Sequence, residues 1–293
     1  MTAPLQTLES PQDVAGQSLA ASPCSPWLDS VLCGDNVQIL SGLPSDSVDL
    51  VVTSPPYDDL RTYGGHSWDF EGVARELTRV LKPGGVIVWV VADATINGSE
   101  TLTSMKQAIH FKEVCGLNVH DTMVYQVAGT GAKGSTLAYW QEWEYCFVLS
   151  KGRPRHFEPI GNGKKTTNGG ERLRVNGERK PTREREENEG RPGNVWRYAV
   201  GQDPTGHPAP FPLKLAKDHV ASWSKPGDIV LDPFAGSGTT LRAAKDFNRR
   251  FVGIEINPAY VEICHKRLAQ DVLPLFEANA DGLGRRPQDS DSK

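Results

Sequence analysis

The chain has 293 residues, 38% of them hydrophobic, and a formal net charge of −4 at pH 7. That length accommodates one large domain carrying an insertion, or a domain with a small companion, and the charge balance gives no overall basic excess for a nucleic-acid partner. Its five cysteines, Cys24, Cys33, Cys115, Cys146 and Cys264, lack a CxxC pair or a nearby histidine in metal spacing, so no metal site is expected and they read as reduced thiols.

Residues 1–26 are rich in Ser, Pro, Ala and Gln, without a basic start followed by an apolar run, and no later apolar stretch is long enough to span a bilayer. A soluble, cytoplasmic protein is expected, with flexible ends over residues 1–26 and 278–293. Residues 47–53 have the pattern of a buried strand. Residues 71–81 place Val73, Leu77, Val80 and Leu81 at helical spacing, and the sequence KPGG at 82–85 is a turn into a strand over 86–91. A helix follows near 104–114, then strands near 121–126 and 145–150. Toward the C-terminus, strands at 229–231 and 251–254 alternate with helices at 239–247 and 258–268. This succession predicts an α/β fold with a mixed, mostly parallel sheet and helices on both faces.

Between residues 151 and 197 the periodicity breaks, and basic residues outnumber acidic ones roughly two to one. Two readings are open for this insertion. It is a solvated loop, or a segment that orders against phosphate, with Lys164, Lys165, Arg172, Arg174, Arg179, Lys180, Arg183 and Arg185 as the phosphate surface.

Two motifs carry chemistry. After the strand at 47–53 comes TSPPY, comprising Thr53, Ser54, Pro55, Pro56 and Tyr57. Consecutive prolines make a rigid turn poor in donors, leaving carbonyls free to accept from an amino group while Tyr57 supplies a flat face for a planar ring. The plain alternative is a sharp strand exit. Much later, DPFAGSGTT runs through Asp232, Pro233, Phe234, Ala235, Gly236, Ser237, Gly238, Thr239 and Thr240, where a strand feeds a helix. Its glycines let backbone N–H groups approach a ligand. It is neither a Walker A loop nor a clean GxGxxG, and by itself it is any Gly-rich βα turn. Glu255, at the end of the next strand, is placed to accept ribose hydroxyls, which strengthens the nucleoside reading without separating a dinucleotide from a smaller cofactor.

TSPPY resembles motif IV, and DPFAGSGTT with Glu255 resembles motifs I and II, of the S-adenosylmethionine-dependent DNA methyltransferases that modify exocyclic amino groups. The likeness runs from about residue 31 to 273, and the catalytic region precedes the recognition region and the cofactor region, as in the family's β class. This implies a Rossmann-like methyltransferase fold: a catalytic half over 27–150, a target-recognition insertion over 151–197 and a cofactor half over 198–277. Cys33, Gly34, Asp35 and Asn36 resemble the early GD element, with Asp35 near the cofactor adenine. The sequence HPAPFP at 207–212 resembles motif X, with Phe211 packing on the cofactor. Thr53 and residues 232–240 complete the implied cofactor site.

The implied reaction is direct in-line methyl transfer to the amino group of a flipped base in double-stranded DNA, without a catalytic cysteine. Ser54 and the Pro55 carbonyl, in the rigid turn that Pro56 completes, would hold the amino group and Tyr57 would stack. Within the family, Ser at the first motif IV position goes more with N4-cytosine and Asp more with N6-adenine, so Ser54 favours cytosine, with adenine as the alternative. An RNA or protein-amide methyltransferase and a non-catalytic DNA-binding module are further readings. Asp58, Asp59, Arg61 and Tyr63 are candidates for the base pocket or flanking phosphate. His66 and Trp68 are candidates for opening the duplex, with packing as the alternative for Trp68. One of Trp140, Trp143 and Tyr145 would touch the base, with a core position expected for Trp143. The resemblance admits a homodimer and a companion restriction endonuclease.

Overall fold

In a computed structural model, residues 25–56, 68–128, 139, 141–161, 192–199 and 212–270 are described. The first strand, β1 (Ser30–Cys33), leads to helix α1 (Asn36–Gly42), capped by Asp35, whose side chain accepts from Gln38 N–H. Strand β2 (Val48–Thr53) is buried along its whole length, as expected of a strand covered on both faces. Helix α2 (Phe70–Val80) starts on Asp69, which accepts from Gly72 N–H at 2.9 Å. Strand β3 (Leu81–Val91) follows at once, then a short hairpin of β4 (Thr95–Ile96) and β5 (Ser99–Glu100), and helix α3 (Thr103–Glu113). Strands β6 (Asn118–Ala128), β7 (Trp143–Ser150) and β8 (Val195–Ala199) precede α4 (Leu213–Trp223). The chain then runs through β9 (Ile229–Asp232), α5 (Thr239–Asp246), β10 (Arg250–Glu255) and α6 (Pro258–Ala269).

Among the described residues, eight strands form one sheet in the order β1-β10-β9-β2-β3-β7-β6-β8. Neighbours from β1 to β3 are parallel, β7 runs antiparallel to both β3 and β6, and β8 is parallel to β6. The expected α/β architecture with a mixed, mostly parallel sheet is therefore the one observed. Side chains alternate between two layers. Leu50, Val52, Val88 and Val230 pack under α4, α5 and α6, through Leu215, Val220, Leu241 and Leu268. Val51, Ile87, Trp89 and Leu231 pack under α1, α2 and α3, through Leu40, Leu77 and Phe111.

Several elements depart from the expected ones. The KPGG stretch is part of β3 rather than a turn before it. The β2–β3 register shifts between Val48 and Leu50, and Gly84, at φ +77°, is bonded to the 151–155 segment through Gly84 N–H to Lys151 O and Arg155 N–H to Gly84 O. A Cβ there would meet Arg155 Cβ at 3.0 Å, so any other residue would be strained in its backbone and crowded by its neighbour. Both ends of the 151–197 span lie in the fold. Lys151 bonds Asp46 and two carbonyls, Arg155 pairs with buried Asp49, Phe157 packs on Trp223, and β8 extends the sheet. Periodicity missed these because each is a few residues long and held by non-local partners. Among the described residues no helix is long and apolar enough to cross a membrane.

Candidate active site

Chain order and sheet order together create the site. From β9 the chain leaves through α5 to β10 on one side, and from β2 it leaves through α2 to β3 on the other. The adjacent strands β9 and β2 thus diverge at their carboxyl ends, the place where open α/β sheets form a binding crevice. DPFAGSGTT emerges from β9 and TSPP from β2, so motifs far apart in sequence open side by side.

Thr53 Oγ1 donates to Asp232 Oδ1 at 2.7 Å, and Phe234 N–H donates to the same oxygen at 3.1 Å. Thr240 Oγ1 donates to the Val52 carbonyl at 3.0 Å. Asp232 is 1% exposed and Thr53 is fully buried. Burial pushes the Asp232 carboxyl up to about 6, against the opposing pull of its hydrogen bonds to Thr53, Phe234 and Thr240. Pro233, Ala235, Ser237, Gly238, Thr239 and Thr240 are also buried, whereas Phe234 and Gly236 are part-exposed.

The loop between β9 and α5 is shaped by two left-handed glycines, Gly236 at φ +52° and Gly238 at φ +81°. A Cβ on Gly238 would meet Cys264 Sγ at 3.1 Å. Glu255, at the tip of β10, accepts from Gly236 N–H through Oε2 at 2.8 Å and from Asn257 N–H through Oε1 at 2.9 Å. Burial raises its pKa and these backbone donors counter the rise. A carboxylate has about four lone-pair sites, so accepting from three backbone N–H groups, Ile256 included, leaves capacity for a ligand hydroxyl. Gly34 N–H bonds the Glu255 carbonyl at 3.0 Å and Asn36 Nδ2 reaches the Pro233 carbonyl at 3.4 Å, bringing the exposed Asp35 to the same rim.

Ser54 and Pro56 are part-exposed beside this loop and Pro55 is buried. Trp68 packs edge-on against Phe234, with ring centroids 5.0 Å apart, and against Phe70, which makes it a packing residue. Trp143 is 39% exposed at the start of β7 and meets Tyr145 edge-on at 4.7 Å, so the core position expected for it is not observed. It sits where β7 outruns β3, whose pairing stops at Val91 opposite Tyr145. Tyr57, Asp58, Asp59, Arg61, Tyr63, His66, Trp140 and Phe211 lie outside the described residues. So do Lys164, Lys165, Arg172, Arg174, Arg179, Lys180, Arg183 and Arg185.

Two supporting residues carry no signal in the sequence. Arg267 on α6 donates to Ser237 Oγ and Thr239 Oγ1, both at 3.1 Å, and Cys264 Sγ donates to the Gly236 carbonyl at 2.9 Å. Their i,i+3 spacing puts them on one helix face, but nothing local indicates that the face backs the Gly-rich loop.

The sequence matches the N6_N4_Mtase family of DNA methylases over residues 48–266. It is 44% identical over 258 residues to the orphan methyltransferase M.BamHII of Bacillus amyloliquefaciens, covering 82% of this chain and 95% of that one. It is 29% identical to the DNA adenine methyltransferase YhdJ of Escherichia coli, over 85% of each chain. Among solved structures, a DNA modification methylase from Thermus thermophilus, complexed with S-adenosyl-L-methionine, aligns with a TM-score of 0.57 at 31% identity, covering 84% of this chain and 95% of that one. By that match and that relative, the chain belongs to the N6/N4 family of DNA methyltransferases.

Proposed function

We propose that the chain transfers a methyl group from S-adenosylmethionine to the N4 amino group of cytosine in double-stranded DNA. The observation that carries the reading is the adjacency of an amino-accepting turn, Ser54 to Pro56, and a Gly-rich loop flanked by carboxylates, at diverging parallel strands. The donor set fits the cofactor. Exposed Asp35 and part-exposed Glu255 suit adenine and ribose donors, Phe234 offers an apolar face, and the acidic rim suits a cation. Bound there, S-adenosylmethionine supplies a sulfonium-borne methyl, the sulfur keeping the C–S electron pair as the amino nitrogen forms the new N–C bond and releases a proton to water.

The chain's own residues supply position. In this reading the Ser54 hydroxyl and the Pro55 carbonyl accept the amino protons and aim the nitrogen lone pair, while Tyr57 stacks on the flipped ring. Glu255 and Asp35 hold the nucleoside, and Gly236 to Gly238 lie against it. The segment from 162 to 191 carries the basic residues that would meet phosphate, beside a homodimer and a companion endonuclease as further parts of this reading. Ser54 in place of Asp favours cytosine; the likeness to an adenine methyltransferase keeps N6-adenine as the second reading. The deciding experiment is mass spectrometry of nucleosides from DNA of cells expressing the protein, with mapping of the modified site. N4-methylcytosine is the expected product, N6-methyladenine would replace the first reading by the second, and unmodified DNA would sink both.

A further inference from the structure

Neighbouring strands lie about 4.8 Å apart, yet methyl transfer demands reacting atoms within about 3–3.5 Å and in line, so that a misplacement of about 1 Å costs on the order of a hundredfold in rate. What holds the accepting loop against the cofactor loop is therefore a question of mechanism. The backbone pairing of β2 with β9 ends at Val51 opposite Leu231, before either loop begins. Each strand stays bonded further along on its outer side, β2 to β3 as far as Thr53 opposite Trp89 and β9 to β10 as far as Asp232 opposite Gly253. Between the two, side chains continue the link: Thr53 Oγ1 to Asp232 Oδ1, and Thr240 Oγ1 to the Val52 carbonyl.

We infer that the Thr53–Asp232 hydrogen bond, seconded by Thr240–Val52, is the joint that sets the distance between the methyl-accepting turn and the cofactor loop. Thr53 and Asp232 are then positioning residues rather than cofactor ligands. Their burial agrees, since neither side chain presents surface to a bound molecule. Asp232 Oδ1 also takes the Phe234 N–H, so the carboxylate grips the start of its own loop with the same oxygen that receives Thr53. A shift of Ser54 relative to Phe234 must stretch one of these bonds. The inference rests on the proposed methyl-transfer reaction.

The test compares Thr53→Val, which removes the hydroxyl at near-constant volume, with Thr53→Ser, which retains it, and with Thr240→Val, which cuts the Val52 link and the Thr240 bond to Asp232 but leaves Thr53–Asp232 in place. Steady-state kcat on DNA, S-adenosylmethionine affinity by calorimetry and Tm are read for each, with Val148→Ala in β7 as a control for reduced stability. Thr53→Val is expected to lower kcat about 10- to 100-fold while the cofactor Kd stays within about threefold, Thr53→Ser to keep kcat within about threefold, and Thr240→Val to lower it several-fold. Should Thr53→Val not fold, the Thr53→Ser and Thr240→Val expectations decide the matter. A wild-type kcat in Thr53→Val or Thr240→Val would overturn the joint, as would equal losses of rate and cofactor affinity or a Thr53→Ser enzyme as slow as the valine variant. Absence of methyl transfer by the wild-type protein would instead overturn the underlying reaction, so the two failures are distinguishable.

Discussion

Ser54 and Glu255 stand at opposite sides of the crevice, and their substitution should separate chemistry from binding. Ser54→Ala is expected to lose methyl transfer about tenfold or more while keeping cofactor affinity, since positioning of the amino group is what disappears. Glu255→Ala is expected to weaken the cofactor, because it removes a carboxylate and also frees Gly236 N–H and Asn257 N–H. Calorimetry alongside initial rates checks both, and a Ser54→Ala enzyme that lost cofactor binding would reverse the assignment. Asp232 makes a prediction about pH. Its pKa of about 6, raised by burial from an ordinary carboxylate value of 3.8, means that the folded protein binds this proton more readily than the unfolded chain. Its stabilising contribution is present below about pH 4 and is lost as pH rises through about 6. The Tm of Asp232→Asn relative to wild type should therefore climb over that window and level off above it. A difference that stays flat with pH would show that the carboxylate carries no ionisation penalty.

At the scale of elements, the helix α5 and the strand β10 touch through a glycine. A Cβ on Gly253 would collide with Leu241 and come within 3.2 Å of Ala235 Cβ, inside the Gly-rich loop. Gly253→Ala should cost about 1–3 kcal/mol through overpacking, and it should weaken the cofactor because the loop moves with α5. Denaturant melts measure the first effect and calorimetry the second; unchanged stability would mean that α5 is free to shift. The elements legible in the sequence were those with a helical period or an apolar cluster next to a clear turn signal, as with β9 ahead of the Gly-rich loop. Helix α2 announces itself through Val73, Leu77 and Val80, and β2 through the mostly apolar VDLVVT run. The strands β1 and β8 have four and five residues, and they exist because a formed neighbour offers a hydrogen-bonding edge.

At the scale of the molecule, the net charge of −4 conceals an uneven distribution, with eight basic residues between Lys164 and Arg185 proposed as the DNA surface. Replacing four of them with Gln should weaken DNA binding and reduce the slope of log affinity against log salt by about one for each phosphate no longer neutralised. Fluorescence anisotropy across a salt series measures it, and an unchanged slope would place the DNA surface elsewhere. The motifs by themselves determined that a proline-rigid turn and a Gly-rich loop exist and which comes first, because prolines and glycines act on the backbone locally. The adjacency of those loops belongs to the tertiary structure. Thr53 and Asp232 are 179 residues apart in the chain and 2.7 Å apart in space. Strand order, set by which edges find partners as the core is buried, is a property of no single segment. The same holds for Arg267 behind the loop and for the depth at which Asp232 is held.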